Sequence, residues 1–331
     1  MGYFICNFNQ NWISKDKFLF MSIRNYIKRL FKPNMAENET NTYLEIRRDS
    51  FFLNKDKHEF YLKNGWVTME NMVKKEEIQS FMQTFEEISH LEGFELDKHL
   101  LNSGRLFNPE IRKKTQNIIN QNAKTILPRM FDMSKTDTHT GGAYQVKPPH
   151  AESDLLIHQD STVIDEESDY CLFVWIPFCD VTMENGVISF LGGSHLWGNT
   201  QRSLGVPWQF KNNIKTLYKY VKPVTIKAGD VLVFDPACIH SSAPNLSKEI
   251  RHAITITVLR KNYQLVYYFL NKELGKGLIE KYYVNENFYY DYDFISKPDE
   301  RKWKKEVVPY KPFELPEKEI VKLIKKFMPQ S

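Results

Sequence analysis

Between residues 143 and 259 the chain is a succession of short apolar runs cut by turn-forming residues. The runs Ala143–Lys147, Leu155–Gln159, Tyr170–Phe178, Val187–Leu191, Val231–Phe234 and Ala253–Leu259 each have strand length. Turns punctuate them at Pro148-Pro149, Glu184-Asn185-Gly186, Gly192-Gly193-Ser194, Ala228-Gly229-Asp230 and Pro244-Asn245. Many short strands with such punctuation fold as a sandwich or jelly roll. The Tyr170–Phe178 run is apolar on both faces, which predicts a central strand covered on both sides.

Helical signals lie outside this block. Phe60 to Met72 reads as a short helix, a turn at Gly65 and a strand. Ile78, Phe81, Met82, Phe85 and Ile88 recur at helical spacing. Asn108-Pro109 is a helix start, with asparagine as the cap and proline in the first turn. Pro316–Phe327 forms a charged amphipathic helix with Ile320, Val321, Ile324 and Phe327 on one side. Leu204–Tyr220 is an insertion between core strands, a candidate pocket lid. The aromatic-rich stretch Tyr282–Phe294 reads as a long loop glued to the barrel, or else as a substrate wall. The division that follows is a basic extension and linker over 1–42, the main domain over 43–296 with its barrel core at about 143–260, and a C-terminal charged helix packed on it over 297–331.

The chain of 331 residues is 42% hydrophobic and 26% charged, with a net charge of +4. These are ordinary values for a globular protein. Basic ends flank a mildly acidic body, which is not the pattern of a nucleic-acid groove. No apolar run reaches the ~18 residues of a membrane span. The four cysteines form no CxxC pair, so a reducing compartment, the cytoplasm, is the expectation. Gly2 lacks the Ser or Thr at position 6 that myristoylation needs, where Cys6 stands. Met21 offers a second start besides Met1. Residues 21–33 put Ile23, Tyr26, Ile27, Leu30 and Phe31 at helical spacing beside four basic residues. Such a helix docks on the body, the favoured reading, or lies weakly on the inner face of an anionic membrane.

The chemistry concentrates in His158-Gln159-Asp160, His240 and Arg251. In a strand, residues i and i+2 share a face, so His158 and Asp160 reach one metal while Gln159 points away. His240 must arrive from a distant strand. Two imidazoles and one carboxylate suit iron(II) and leave three coordination positions open. A structural zinc site would close its sphere with four ligands, which these spacings do not supply. The other histidines, His58, His90, His99, His139, His150, His195 and His252, are read as core or surface residues. Arg251 opens the small, polar face of an apolar strand, ahead of Ala253, Thr255 and Thr257. A guanidinium facing such an interior needs an anion, either a bound dicarboxylate or a protein carboxylate. The acidic run Asp165, Glu166, Glu167 and Asp169 is a rim for cationic substrates or, the favoured reading, a solvated loop.

The blocks YQVKPPHAESDLLIHQD, DYCLFVWIPF, ENGVISFLGGSH and KAGDVLVFDPACIHSSAPN, followed by Arg251, resemble the phytanoyl-CoA dioxygenase family of 2-oxoglutarate oxygenases. The resemblance covers about Tyr144–Leu259 and extends more weakly to FYLKNGWVTMENMVKKEEI. It implies an α+β fold with a mainly β core, a cupin-like double-stranded β-helix with helices packed on one sheet. It implies Fe(II), 2-oxoglutarate and O2 as cofactors, with His158, Asp160 and His240 as iron ligands. Arg251 would pair with the distal carboxylate of 2-oxoglutarate, and Ser242 would hydrogen-bond the same group. Trp175 would lie on the cofactor side, and Gln145, on the strand entering the site, would touch co-substrate or substrate. Asp160 supplies the carboxylate that halogenating relatives lack, which favours hydroxylation. The substrate would be a small molecule or a carrier- or lipid-linked one. A cupin-like metal enzyme working without 2-oxoglutarate, or a jelly-roll binding module without catalysis, remain the other readings.

Overall fold

Alternation along one strand organises the molecule. The computed structural model describes residues 44–329, apart from 49, 107, 139, 140, 199, 293–295 and 311–314. The strands, in chain order, are β1 (Trp66–Met69), β2 (Leu101–Asn102), β3 (Thr136–Asp137), β4 (Gly142–Lys147), β5 (Leu155–His158) and β6 (Cys171–Pro177). They continue with β7 (Ile188–Phe190), β8 (Lys222–Val224), β9 (Val231–Phe234), β10 (His240–Ser242), β11 (Arg251–Arg260), β12 (Leu265–Phe269), β13 (Leu278–Val284) and β14 (Lys305–Pro309). The large sheet runs β1-β9-β6-β11-β4-β2, with β3 also on β11, and a second sheet runs β5-β10-β7-β8. All ladders are antiparallel, and β6 lies between β9 and β11 as its two apolar faces predict.

On β11, Ile254, Ile256 and Val258 join the helix residues Phe81, Ile88, Ile111, Ile118, Ile119 and Ile126 in the main core. The opposite face turns toward the second sheet. Trp175, Leu232, Phe234 and Ala253 from the large sheet pack there against Ile188, Phe190 and Val224 from the small one. This is the double-stranded β-helix, with helices on the outer face of one sheet. Asn108 caps the Pro109–Ile126 helix by accepting from the Glu110 amide, as the sequence predicts. The Lys75–Ser89 and Glu317–Phe327 helices lie where the periodicity puts them.

Three expectations need correction. Tyr282–Phe294 is no long loop: Tyr282 and Tyr283 belong to β13, in a third sheet β12-β13-β14, and Phe288–Tyr290 lie in the Glu286–Asp291 helix. The strand pattern was hidden because β13 buries two charges. Glu280 pairs with Lys305 at 2.6 Å and Lys281 with Asp165 at 2.7 Å. The acidic run is only partly a solvated loop: Glu167 is exposed, but Glu166 is buried against Arg202, Asp169 is buried, and Asp165 is held by Lys281. The Leu204–Tyr220 insertion is a buttress rather than a lid. Phe210 and Leu217 pack with Ile157, Ile239, Ile320 and Ile324, on the side of β5 away from His158. The helix read over 21–33, the linker to residue 42, His139 and Phe294 fall outside the described residues.

Candidate metal centre

β5 and β10 pair so that His158 and His240 are direct register partners. Their rings lie 4.3 Å apart, centroid to centroid. Asp160, two residues past His158, completes a cluster whose three donor atoms all lie within 4.8 Å of one another. Its Oδ1 is 3.5 Å from His158 Nε2 and its Oδ2 is 3.5 Å from His240 Nε2. Each imidazole is oriented by its other nitrogen. His158 Nδ1 bonds the Leu156 carbonyl at 2.7 Å, and His240 Nδ1 bonds the Cys238 carbonyl at 2.8 Å. A carbonyl only accepts, so both Nδ1 atoms carry the proton and both Nε2 lone pairs face the common point. That second-layer fixing is the arrangement a metal-binding histidine requires.

The electrostatics agree. Burial pushes the Asp160 carboxyl up, but the facing His240, His158 and the Arg202 guanidinium outweigh it and hold it at about 2. His240 is pushed down to about 4, by burial first and by His158 second. A carboxylate facing the neutral His240 imidazole, with His158 beside it, fits a divalent cation.

The strand carrying these ligands is braced by residues that sequence reasoning missed. Arg202 Nε donates to the Asp160 carbonyl at 2.7 Å, while its NH1 and NH2 grip Glu166 at 2.8 and 2.6 Å. The Tyr218 hydroxyl accepts from the Ile157 amide, and Trp208 Nε1 donates to Gln159, which in turn donates to the Ala237 carbonyl. Ahead of β10 in the chain, buried Asp235 accepts from the Tyr61 hydroxyl at 2.8 Å and lies 3.6 Å from Arg47 Nε. The Asp235 amide donates to the Gly65 carbonyl. Gly65 has φ 78°, and a Cβ there would sit 2.5 Å from His195 Nδ1, so this junction admits only glycine. His195 and His58 are core residues, each bonded to a backbone carbonyl.

The remaining candidates meet on the inner face of the large sheet. Trp175 Nε1 donates to Gln145 Oε1 at 3.1 Å, and Gln145 Nε2 donates to Thr255 at 3.0 Å. Arg251 lies over the Trp175 ring at 5.2 Å and donates from NH1 to the Gly186 carbonyl at 2.6 Å. It is 2% exposed, and its Nε has no hydrogen-bond partner. No protein carboxylate pairs with it among the described residues, so the structural ion pair the sequence left open is not made there. Burial lowers its pKa to about 10. Ser242 donates to the same Gly186 carbonyl at 3.0 Å. Its oxygen accepts from Lys147 Nζ at 2.7 Å. Lys147 was passed over in the sequence, although it follows Gln145 by two on β4 and so had to share its inward face.

A model of the family described as phytanoyl-CoA dioxygenase (PhyH) matches residues 61–253, more than half of the chain. The chain belongs to the phytanoyl-CoA dioxygenase family. That family is one of iron- and 2-oxoglutarate-dependent dioxygenases, and the donor set above suits both cofactors. Among curated proteins, it is 28% identical over 141 residues to a phytanoyl-CoA dioxygenase domain-containing protein 1 homolog of Dictyostelium discoideum, covering 39% of this chain and 48% of that one. It is 30% identical over 119 residues to phytanoyl-CoA dioxygenase 1 of Oryza sativa subsp. japonica, covering 35% of this chain and 42% of that one. The matched region therefore spans less than half the length of these two relatives. Among solved structures, a non-heme alpha ketoglutarate dependent carbocyclase from nogalamycin biosynthesis aligns over 70% of this chain and 92% of its own, at 20% identity and TM-score 0.49. Among the described residues no helix is long and apolar enough to cross a membrane.

Proposed function

We propose that this family member is an Fe(II)/2-oxoglutarate-dependent dioxygenase that hydroxylates an unactivated C–H bond of a small-molecule or carrier- or lipid-linked substrate, releasing succinate and CO2. His158, Asp160 and His240 hold the iron. Arg251, with Ser242, holds the distal carboxylate of 2-oxoglutarate, and Trp175 and Gln145 wall its channel. The observation that carries this reading is the pairing of two features. Three donors of the facial-triad type converge on one point, and a buried guanidinium on the same inner face lacks a counter-ion.

Bound iron supplies O2 activation coupled to oxidative decarboxylation of the co-substrate. The chain's own residues do the positioning. The two Nδ1–carbonyl bonds fix the imidazole planes, and Arg202 fixes the Asp160 backbone. The Trp175–Gln145–Thr255 chain of hydrogen bonds fixes the orientation of the Trp175 and Gln145 side chains. Asp160 occupies the position that a halogenating site leaves to chloride, which supports hydroxylation. A cupin-like enzyme working without 2-oxoglutarate would leave Arg251 buried for no anion. The basic helix read over 21–33 would bring the site to anionic lipid, in keeping with a lipid-linked substrate.

The test is a metabolite screen for substrate-stimulated succinate release by the iron-loaded full chain, with product mass read alongside. Succinate release with a product heavier by one oxygen is expected. Stimulated turnover that yields a chlorinated, cyclised or epimerised product would overturn the hydroxylase assignment. Turnover without succinate would overturn the 2-oxoglutarate assignment.

A further inference from the structure

The co-substrate end of the site holds a second buried basic group. Lys147 is fully buried on β4, and its Nζ donates to Ser242 Oγ at 2.7 Å and to the Ala243 carbonyl at 2.5 Å. Among the described residues no carboxylate pairs with it. The nearby charges are Arg251 on β11, which disfavours its charged form, and the exposed Asp154 in the loop after β4, which favours it. Cys179 is the titratable group facing Arg251. A buried amine beside a lone buried guanidinium is expensive to charge unless an anion arrives.

The hydrogen bonds show what the lysine does for that anion. Ser242 Oγ already accepts from Lys147, so its own proton must be donated elsewhere. It goes to the Gly186 carbonyl, which also takes the Arg251 NH1 proton. One carbonyl oxygen thus occupies the meeting point of two donors, as a carboxylate oxygen would. Gly186 itself is required by the lysine. Its φ is 93°, and a Cβ would lie 2.6 Å from Lys147 Cδ.

We infer that Lys147 is a positioning residue for the co-substrate. It fixes Ser242 as a donor and, with Arg251, forms a two-cation cradle that selects a 2-oxo acid bearing a second carboxylate. This rests on the 2-oxoglutarate reading above. Burial and Arg251 push the free lysine down to about 6, so an arriving carboxylate also draws a proton onto it.

The experiment is calorimetry on the full chain loaded with redox-silent Mn(II), titrated with 2-oxoglutarate and, separately, with pyruvate, which lacks the distal carboxylate. Lys147→Met is expected to weaken 2-oxoglutarate by about tenfold to a hundredfold and to leave pyruvate within about twofold. Ser242→Ala added to it is expected to cost little more, because the two act as one unit. A second measurement needs no substitution. In the wild type, the preference for 2-oxoglutarate over pyruvate falls as pH rises from 7 to 9. An unchanged preference in a folded Lys147→Met protein, or a preference flat with pH in the wild type, overturns the inference. Failure of the wild type to bind 2-oxoglutarate at all sinks the oxygenase reading instead.

Discussion

The two ends of the site follow opposite electrostatic plans. At the metal end the supporting charges answer each other: Arg202 and Glu166, 5% and 2% exposed at their side chains, neutralise one another behind Asp160, whose own charge awaits only a metal cation. At the other end Arg251 and Lys147 are both buried, and among the described residues neither meets a carboxylate. A buried charge costs several kcal/mol unless it is paired. The first end is thus complete but for a cation, whereas the second is unfinished until an anion enters. Removing a charge should therefore have opposite consequences for stability at the two ends.

The largest effect belongs to the ligands. Asp160→Ala or His240→Ala should reduce bound iron to background and abolish substrate-coupled succinate release while the fold survives. Metal analysis beside circular dichroism checks this. Next, Arg251→Met should weaken 2-oxoglutarate by about two to three powers of ten, since truncating a buried charge partner costs about 2–5 kcal/mol. The same substitution should leave the ligand-free protein as stable as the wild type or up to about 4 kcal/mol more stable, because it removes an unanswered charge. Arg202→Met should do the reverse. It strands Glu166 and should lower stability by about 3–5 kcal/mol, with iron affinity falling about tenfold to a hundredfold as the Asp160 backbone loosens. Denaturant unfolding of both variants without ligand exposes the contrast; losses of equal size would break it.

The smallest effect is a slope with pH. Lys147 is pushed from the usual lysine value down to about 6 in the folded state. Between pH 7 and 9 the unfolded chain therefore binds more protons than the folded one, and this residue makes stability rise with pH. Saturating 2-oxoglutarate with Mn(II) restores the lysine charge and should flatten that slope. The buried Cys171 and Cys238 and the half-buried Cys179, whose thiols are pushed up by burial, contribute a slope of opposite sign, so the reading is the difference from Lys147→Met. Equal slopes for the two proteins would show that the lysine is not under electrostatic pressure.

Much of this was legible because it depends on period-two alternation. Strands β4, β5, β6, β7, β9 and β11 were read from their short apolar runs, the central place of β6 from its two apolar faces, and the inward face of Arg251 from side chains pointing to alternate sides, whereas the short β8 and β10 were not among the runs read. The cluster of His158, Asp160 and His240 was readable as types and spacing, though only the pairing of β5 with β10 brings His240 to its partners. The third sheet was not legible, because Glu280 and Lys281 break the apolar pattern and their ion partners come from distant segments. Arg202 was invisible for a similar reason: its partners lie 36 and 42 residues away in the chain. Lys147 was within reach, since alternation assigned it to the Gln145 face, but a lysine is ordinarily taken as solvated.

The central claim is one site with a metal face and an anion face acting together. Anaerobic calorimetric titration of the full-length protein with 2-oxoglutarate, with and without Fe(II), tests it most directly. The account predicts one tight equivalent with iron bound, and binding that is far weaker without iron. Iron-loaded protein that takes up no 2-oxoglutarate would contradict it.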